Sequence, residues 1–391
     1  MRKLTLFLLI CSFVMADSPL SYEKEKILEL KRQKLKADAD KLKNSWISPL
    51  NISVSKNRSV SANDMDSRAT TAKISLNQDI FRSGGIWYAI DYAKAFKEVQ
   101  KLGIDLEEAA DLKQIYSLKT KIKRDELKLK QSKLILKNRE IDVEIVKERY
   151  KAGDADISEL NRVTIESDNA RTSLINIQNL LRNEYYELKK IVGEKNIKRL
   201  RIPKIPLVDK KSYLSSHLQL LRFDKQIKSD LAKYKAVKSS YLPKVVLNGS
   251  YGYSKIEGNF QNYESDEYSY GIKLSMPLNY NSKNDIESSK IAYLQSKLAK
   301  TDRQKELEYE YDKHLFNIKD YKEKIKVAKR MIKLYDELYD FTDLEVKAGM
   351  KTKLDLKSLN NSLKIQKLEQ KIQEQNIILE KISLFFDIKR G

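Results

Sequence analysis

Few residues in this chain are candidates for chemistry by type and spacing. The sequence holds 2 His and 1 Cys among 391 residues. Zinc and haem sites draw on His and Cys at short spacings. His217 and His314 stand far apart with no motif around them, so both read as solvated helix residues rather than ligands. Ser83-Gly84-Gly85 lacks the Lys of a phosphate-binding loop. No pattern suggests catalysis, and no cofactor or metal is expected. Two short turns stand out instead. Arg149-Tyr150-Lys151-Ala152-Gly153 and Val346-Lys347-Ala348-Gly349 each end in a Gly that can stop a helix in the left-handed conformation. Asp154 or Asp156, and Thr352, can cap the helix that follows. Glu159 and Asp355 each lie six residues after their Gly. A carboxylate there is favoured by the dipole of a helix's first turn.

The elements that position these turns are long helices. With 11 Gly and 6 Pro, the chain has too few turn residues for a sandwich or propeller. From Tyr88 to about Lys151 there is no Pro and one Gly, Gly103; Asp285 to about Lys347 has neither. Each stretch of about 60 residues gives a helix of roughly 90 Å. A returning helix follows each turn. Leu160, Val163, Ser167, Ala170, Leu174, Ile177, Leu181, Glu184, Leu188 and Ile191 step by three and four. Ile365, Leu368, Ile372, Gln375, Leu379, Ile382 and Phe386 do the same. Such narrow stripes predict side-by-side coiled packing with no globular core.

Two stretches break the helical pattern, each with a pair of alternating strands. The first pair is Leu50 to about Ser61 and Thr71 to Ile80, with Ala72, Ile74, Leu76, Gln78 and Ile80 on one face. The second is Val245 to Ser254 and Tyr268 to Met276. There Val245, Leu247, Gly249, Tyr251 and Tyr253, and Tyr268, Tyr270, Ile272, Leu274 and Met276, share faces. Runs of about ten residues suit a transmembrane β-strand, and equally an ordinary hairpin packed on helices. Residues 62–70 and 255–267 read as polar loops. The Gly-bearing turns and Leu160/Leu356 recur at an offset of 196. The order is therefore helix, strand pair, long helix, turn, returning helix, twice. The repeats are 17–202 and 203–391, with tips near 150–157 and 346–353.

Met1-Arg2-Lys3, an apolar run and Ala16 read as a signal peptide over residues 1–16. Its removal lowers the net charge from +21 to +19. Cys11 follows Ile10, where lipid attachment normally requires a small residue. No apolar run is long enough for a transmembrane helix. Four strands cannot close a barrel, and open edges are costly in lipid. Strands that insert must therefore share a barrel among several chains, and three copies give twelve.

On these marks the chain resembles the TolC-type outer-membrane efflux proteins. They are the duplicated strand pair and hairpin, the turn at Arg149–Gly153, Tyr241-Leu242-Pro243 entering a strand, and the strand exits Leu76 to Gly85 and Leu274 to Leu278. The resemblance implies a mainly α fold with a transmembrane β-barrel contribution. It implies a homotrimer in the outer membrane, with a twelve-stranded barrel and a helical periplasmic tunnel. It further implies a passive exit duct for efflux or type I secretion, contacting outer-membrane lipid. A periplasmic adaptor (membrane fusion protein) would link it to an inner-membrane transporter that supplies the energy. The adaptor would meet Arg149, Tyr150, Gly153, Val346, Ala348 and Gly349. Asp355 and Glu159 would lie at the aperture constriction. Two departures stand out. Asn279-Tyr280-Asn281-Ser282 replaces a Gly-bearing exit, and the short first helix, about Tyr22 to Ser45, argues against an elaborate collar midway along the tunnel.

Rival readings fit less of the chain. A nucleic-acid-binding coiled coil suits the charge, but the lysines are mixed with Glu along every helix and the chain carries an export signal. No nucleic acid is expected as a partner. A periplasmic adaptor has one hairpin, not two. An exported structural filament leaves the Tyr-bearing strands unexplained.

Overall fold

The computed structural model describes residues 19–60, 66–193, 197, 200–258 and 262–389. The signal-peptide reading of 1–16 and Cys11 lie outside the described residues. The elements run α1 (Tyr22–Lys43), β1 (Asn51–Val60), β2 (Asp66–Phe81), α2 (Gly85–Ala152) and α3 (Ile157–Val192). They continue with α4 (Lys210–Ser216), α5 (Leu218–Ser240), β3 (Lys244–Gly258), β4 (Asn262–Ser275), α6 (Ser282–Lys347) and α7 (Lys353–Phe385). Two compact units form, each drawing on both halves of the sequence. One comprises Glu29–Ile104 and Gln219–Gln304. The other takes residues up to Leu28, Asp105–Leu218 and those from Lys305 onward.

The first unit holds a single antiparallel sheet in the order β1-β2-β3-β4. Its register aligns the apolar faces read from sequence. Ile52 stands opposite Ile74, Ile74 opposite Tyr251, and Tyr251 opposite Tyr268. Two rows along on the same face, Gln78, Leu247 and Ile272 line up; on the other face run Ser55, Thr71, Ser254 and Ser265. The apolar face is uncovered: Tyr268 is 78%, Tyr270 86% and Ile272 73% exposed. Alternation fails at one place. A bulge between Asp79 and Phe81 leaves Ile80 outside the ladder, so Ile80 does not continue the face of Gln78. The bulge lets Asp79 turn inward, buried, to accept from Arg82 Nε at 2.5 Å.

The expected loops are shorter than read. Residues 66–70, 255–258 and 262–267 belong to strands. Their polarity misled because polar side chains pair across strands as well as apolar ones do. Arg58 meets Asp66 at 2.9 Å and Lys255 meets Glu264 at 3.4 Å, while Tyr251 Oη donates to Asp266 at 3.2 Å. At the exits, Ser83 and Gly84 take positive φ angles of 47° and 84°. The second exit needs no Gly: Asn281 N–H donates to Asn279 Oδ1 at 2.8 Å, a side-chain turn that starts α6.

The second unit is helical, and none of its helices is apolar enough for its length to cross a membrane. α3 buries Val163, Ser167, Glu184, Leu188 and Ile191, all on the expected stripe. A compact core nevertheless exists, contrary to the sequence expectation. The chain's end folds back over α4: Leu218 N–H donates to the Asp387 carbonyl at 2.9 Å, and Lys389 N–H to Ser216 at 2.7 Å. Beneath lie Tyr213, Phe386, Tyr116 and Tyr311, with ring centroids 5.2 Å apart for Tyr116 and Phe386. Phe386 ends the expected stripe of the last helix, but Tyr116, Tyr213 and Tyr311 lie outside any stripe, so the periodic pattern did not announce this core. His217 is part of it, 2% exposed and edge-on to Tyr213, not solvated as expected. His314 is held by Glu380 at 2.5 Å.

Candidate functional site

Both turns lie in the helical unit and share one local logic. α2 ends with Gly153 at φ 83° and α6 is followed by Gly349 at φ 77°. In the first, Asp154 N–H donates to Arg149 O at 2.8 Å and Gly153 N–H to Tyr150 O at 3.1 Å. In the second, Met350 N–H donates to Glu345 O at 2.8 Å and Gly349 N–H to Val346 O at 3.1 Å. These paired bonds satisfy carbonyls that a helix end leaves open, and they require the left-handed residue that Gly tolerates best.

The caps differ. Asp156, not Asp154, caps α3, accepting from Glu159 N–H at 2.8 Å. Thr352 caps α7 in a reciprocal box: Asp355 N–H donates to Thr352 Oγ1 at 3.2 Å, and Thr352 N–H to Asp355 Oδ2 at 2.9 Å. The charges differ too. Arg149 grips Glu159 at 2.9 Å and also donates to the Asp154 carbonyl at 3.0 Å. The matching position in the second turn is Glu345, which Lys351 pairs at 2.7 Å. So Glu159 is neutralised locally, whereas among the described residues Asp355 meets only its own cap, with both bonds from Thr352 on Oδ2. Lys151 beside Glu148 holds that carboxyl below its ordinary value.

Arg149 and Glu159 are thus brought together, as are Thr352 and Asp355. Among the described residues no hydrogen bond or ion pair joins the first turn to the second. Tyr150 and Ile157 are exposed at the first turn, and Met350 at the second. Ile157 and Met350 were passed over in the sequence, although Met350 directly follows the helix-stopping Gly349 and Ile157 opens the helix four residues after Gly153. Among the described residues no group of three His, Cys, Asp or Glu is placed to hold a metal ion.

A second charged cluster lies between α2 and α3. Asp125 is fully buried, paired with Arg124 at 2.7 Å and Lys128 at 3.3 Å. Burial raises its pKa, but the Arg124 bond and the two cations outweigh this and hold it low. Glu184 has a buried Oε2 with no hydrogen-bond partner. Burial first, then the Asp125 charge, push it up to about 7.

Residues 211–378 match the family model of the outer membrane efflux protein. The resemblance drawn from the repeats and turns therefore holds, in sequence over that span and in fold over nearly all of the chain. The outer membrane protein VceC of Vibrio cholerae superposes with a TM-score of 0.74 at 14% identity, over 94% of this chain and 93% of that one. A membrane protein from Pseudomonas aeruginosa gives 0.71 at 14% identity, over 92% and 90%. The CmeC outer membrane channel of Campylobacter jejuni gives 0.71 at 11%, over 95% and 85%. No curated protein matches in sequence. The fold is shared with these outer membrane proteins: mainly helical, with one four-stranded antiparallel sheet.

Proposed function

We propose that the chain is one protomer of an outer-membrane exit duct in which three copies share a twelve-stranded barrel. The sheet carries this reading. It presents a face of exposed Ile, Leu and Tyr, and among the described residues its outer strands β1 and β4 have no further neighbour. In lipid each unpaired backbone group costs several kcal/mol, and four strands are too few to close on themselves. The match to the outer membrane efflux protein model supports the same reading.

The duct is passive, and an inner-membrane transporter supplies the energy through a periplasmic adaptor. The two sequence halves act as duplicated arms. Their turns, through Arg149, Tyr150, Gly153, Val346, Ala348 and Gly349, form the adaptor-facing tips. Exposed Tyr150, Ile157 and Met350 support this, since apolar side chains at a polar helix end suit a protein contact. Asp355 is the stronger candidate for a constriction charge than Glu159, because Arg149 already occupies Glu159. Three carboxylates around an opening favour cations.

The test is conductance in planar bilayers. Purified protein should insert as discrete channels. Asp355→Asn should reduce cation preference roughly two- to threefold, and Glu159→Gln should change it little. Absence of channel events from a protein that sizes as a single chain in detergent would remove the duct reading.

A further inference from the structure

One motif stands apart from the turns and the sheet. Lys130-x-x-Lys133-Leu134-x-x-Lys137 on α2 recurs as Lys364-x-x-Lys367-Leu368-x-x-Lys371 on α7. The two helices lie against each other in opposite directions. Gln131 Nε2 donates to Glu369 at 2.8 Å, and Asn361 Nδ2 donates to Asn138 at 2.8 Å. These contacts set Lys130 level with Lys371, Lys133 with Lys367, and Lys137 with Lys364. Leu134 and Leu368 floor the open groove between the rows. The opposite faces of α2 and α7, bearing Ser132 and Ile372, meet α3 and α6. At 100° per residue the lysines point away from that junction.

This arrangement works against the helix pair that carries it. Like charges at spacings of three and four residues are destabilising on one helix, and here two such rows also face each other. All six lysines are exposed. Among the described residues the one carboxylate within ion-pair reach of any of them is Asp336, 3.8 Å from Lys367. Elsewhere on α6, lysines stand beside acids: Lys324 with Asp320 at 2.7 Å and Lys347 with Asp343 at 2.6 Å. A local conflict repeated on two helices marks a place where function outweighs stability.

We infer that this groove docks an amphipathic helix of another protein, one with carboxylates flanking an apolar stripe. The stripe covers Leu134 and Leu368 together with the aliphatic stems of the lysines. The carboxylates, at helical spacing, meet the two ammonium rows. A small anion fits poorly, because the groove is open and its donors are on long flexible side chains. This inference does not rest on the duct reading.

The test places the photocrosslinking residue p-benzoylphenylalanine at Leu134, and separately at Leu368, in the full-length chain in its native cells. The crosslinked peptides are then identified by mass spectrometry. The expected adduct is a helix-patterned segment with Asp or Glu at three- and four-residue spacing. Changing all six lysines to Gln should lower its yield about tenfold or more, since six exposed pairs together exceed that factor. Changing them to Arg should preserve it. Circular dichroism and sizing check that the Gln variant folds. The inference is overturned by no adduct above that of a probe at buried Ile372, or by adducts solely with lipid or with another copy of this chain. A partner segment without acidic residues, or a yield unchanged in a folded Gln variant, overturns it as well.

Discussion

Glu184 sits in the stripe that α3 turns toward α2, at a spacing where Leu and Ile are the usual occupants. Its neighbour Asp125 already holds the local positive charge through Arg124 and Lys128. A second negative charge in the same buried cluster is unfavourable, so Glu184 keeps its proton until about pH 7, against an ordinary value of 4.5. The sign follows directly. The folded pKa lies above the unfolded one, so the contribution to stability is complete below about pH 4.5 and is lost as pH rises through 7. The loss is of order 1–3 kcal/mol. Glu184→Gln should therefore melt higher than the parent at pH 8 and match it near pH 5. Parallel Tm–pH curves for the two proteins would show that Glu184 is already ionised. The sequence placed Glu184 in the buried stripe by spacing alone. It did not reveal Asp125 beside it, because that proximity depends on how α2 and α3 are rotated against each other.

The turns and the strands show where sequence reasoning reaches. Gly153 and Gly349 were legible because a left-handed residue leaves few choices, and nothing lies within 4 Å of where either Cβ would stand. Gly349→Ala should cost about 1–2 kcal/mol from backbone strain alone, with no clash. Gly349→Asn should cost less, since Asn tolerates that region. Equal losses in chemical denaturation for both variants would mean that packing, not φ, holds the turn. The apolar strand faces were legible through their period of two. The strand ends were not, because Arg58–Asp66 and Lys255–Glu264 make polar residues look like loop. Of the core around Tyr213 and Phe386, the sequence placed only Phe386 on a stripe; Tyr213, Tyr116 and Tyr311 come from separate segments that share no period with it. The exposed face of β4 gives a further expectation. Ile272→Arg should destabilise the lipid-inserted protein by about 2–4 kcal/mol, whereas Ser269→Arg on the polar face should be nearly neutral. Similar losses for both, measured by urea titration in detergent, would argue that neither face meets lipid.

For the whole molecule the decisive feature is what the sheet lacks. β2 and β3 are paired on both sides, and β1 and β4 on one side each. Strands alternate in direction, so β4 of one copy can pair antiparallel with β1 of the next without disturbing either sheet. Such a head-to-tail contact either closes into a ring or runs on as an open filament. Twist and tilt decide between them, and twelve strands close at a tilt usual for membrane barrels. Pairs of cysteines, one in Asn51–Val60 and one in Asn262–Ser275, report the outcome. Neighbouring strands bring some such pair within disulfide reach. Oxidised protein should show a ladder of one, two and three chains on a denaturing gel and stop at three. A ladder that continues past three would mean that the edges join without closing, and the strands would then belong to a filament. Failure of every β1–β4 pair to crosslink, with both cysteines reactive to maleimide, would leave the edges open. The exposed Ile and Tyr face would then need a covering other than lipid.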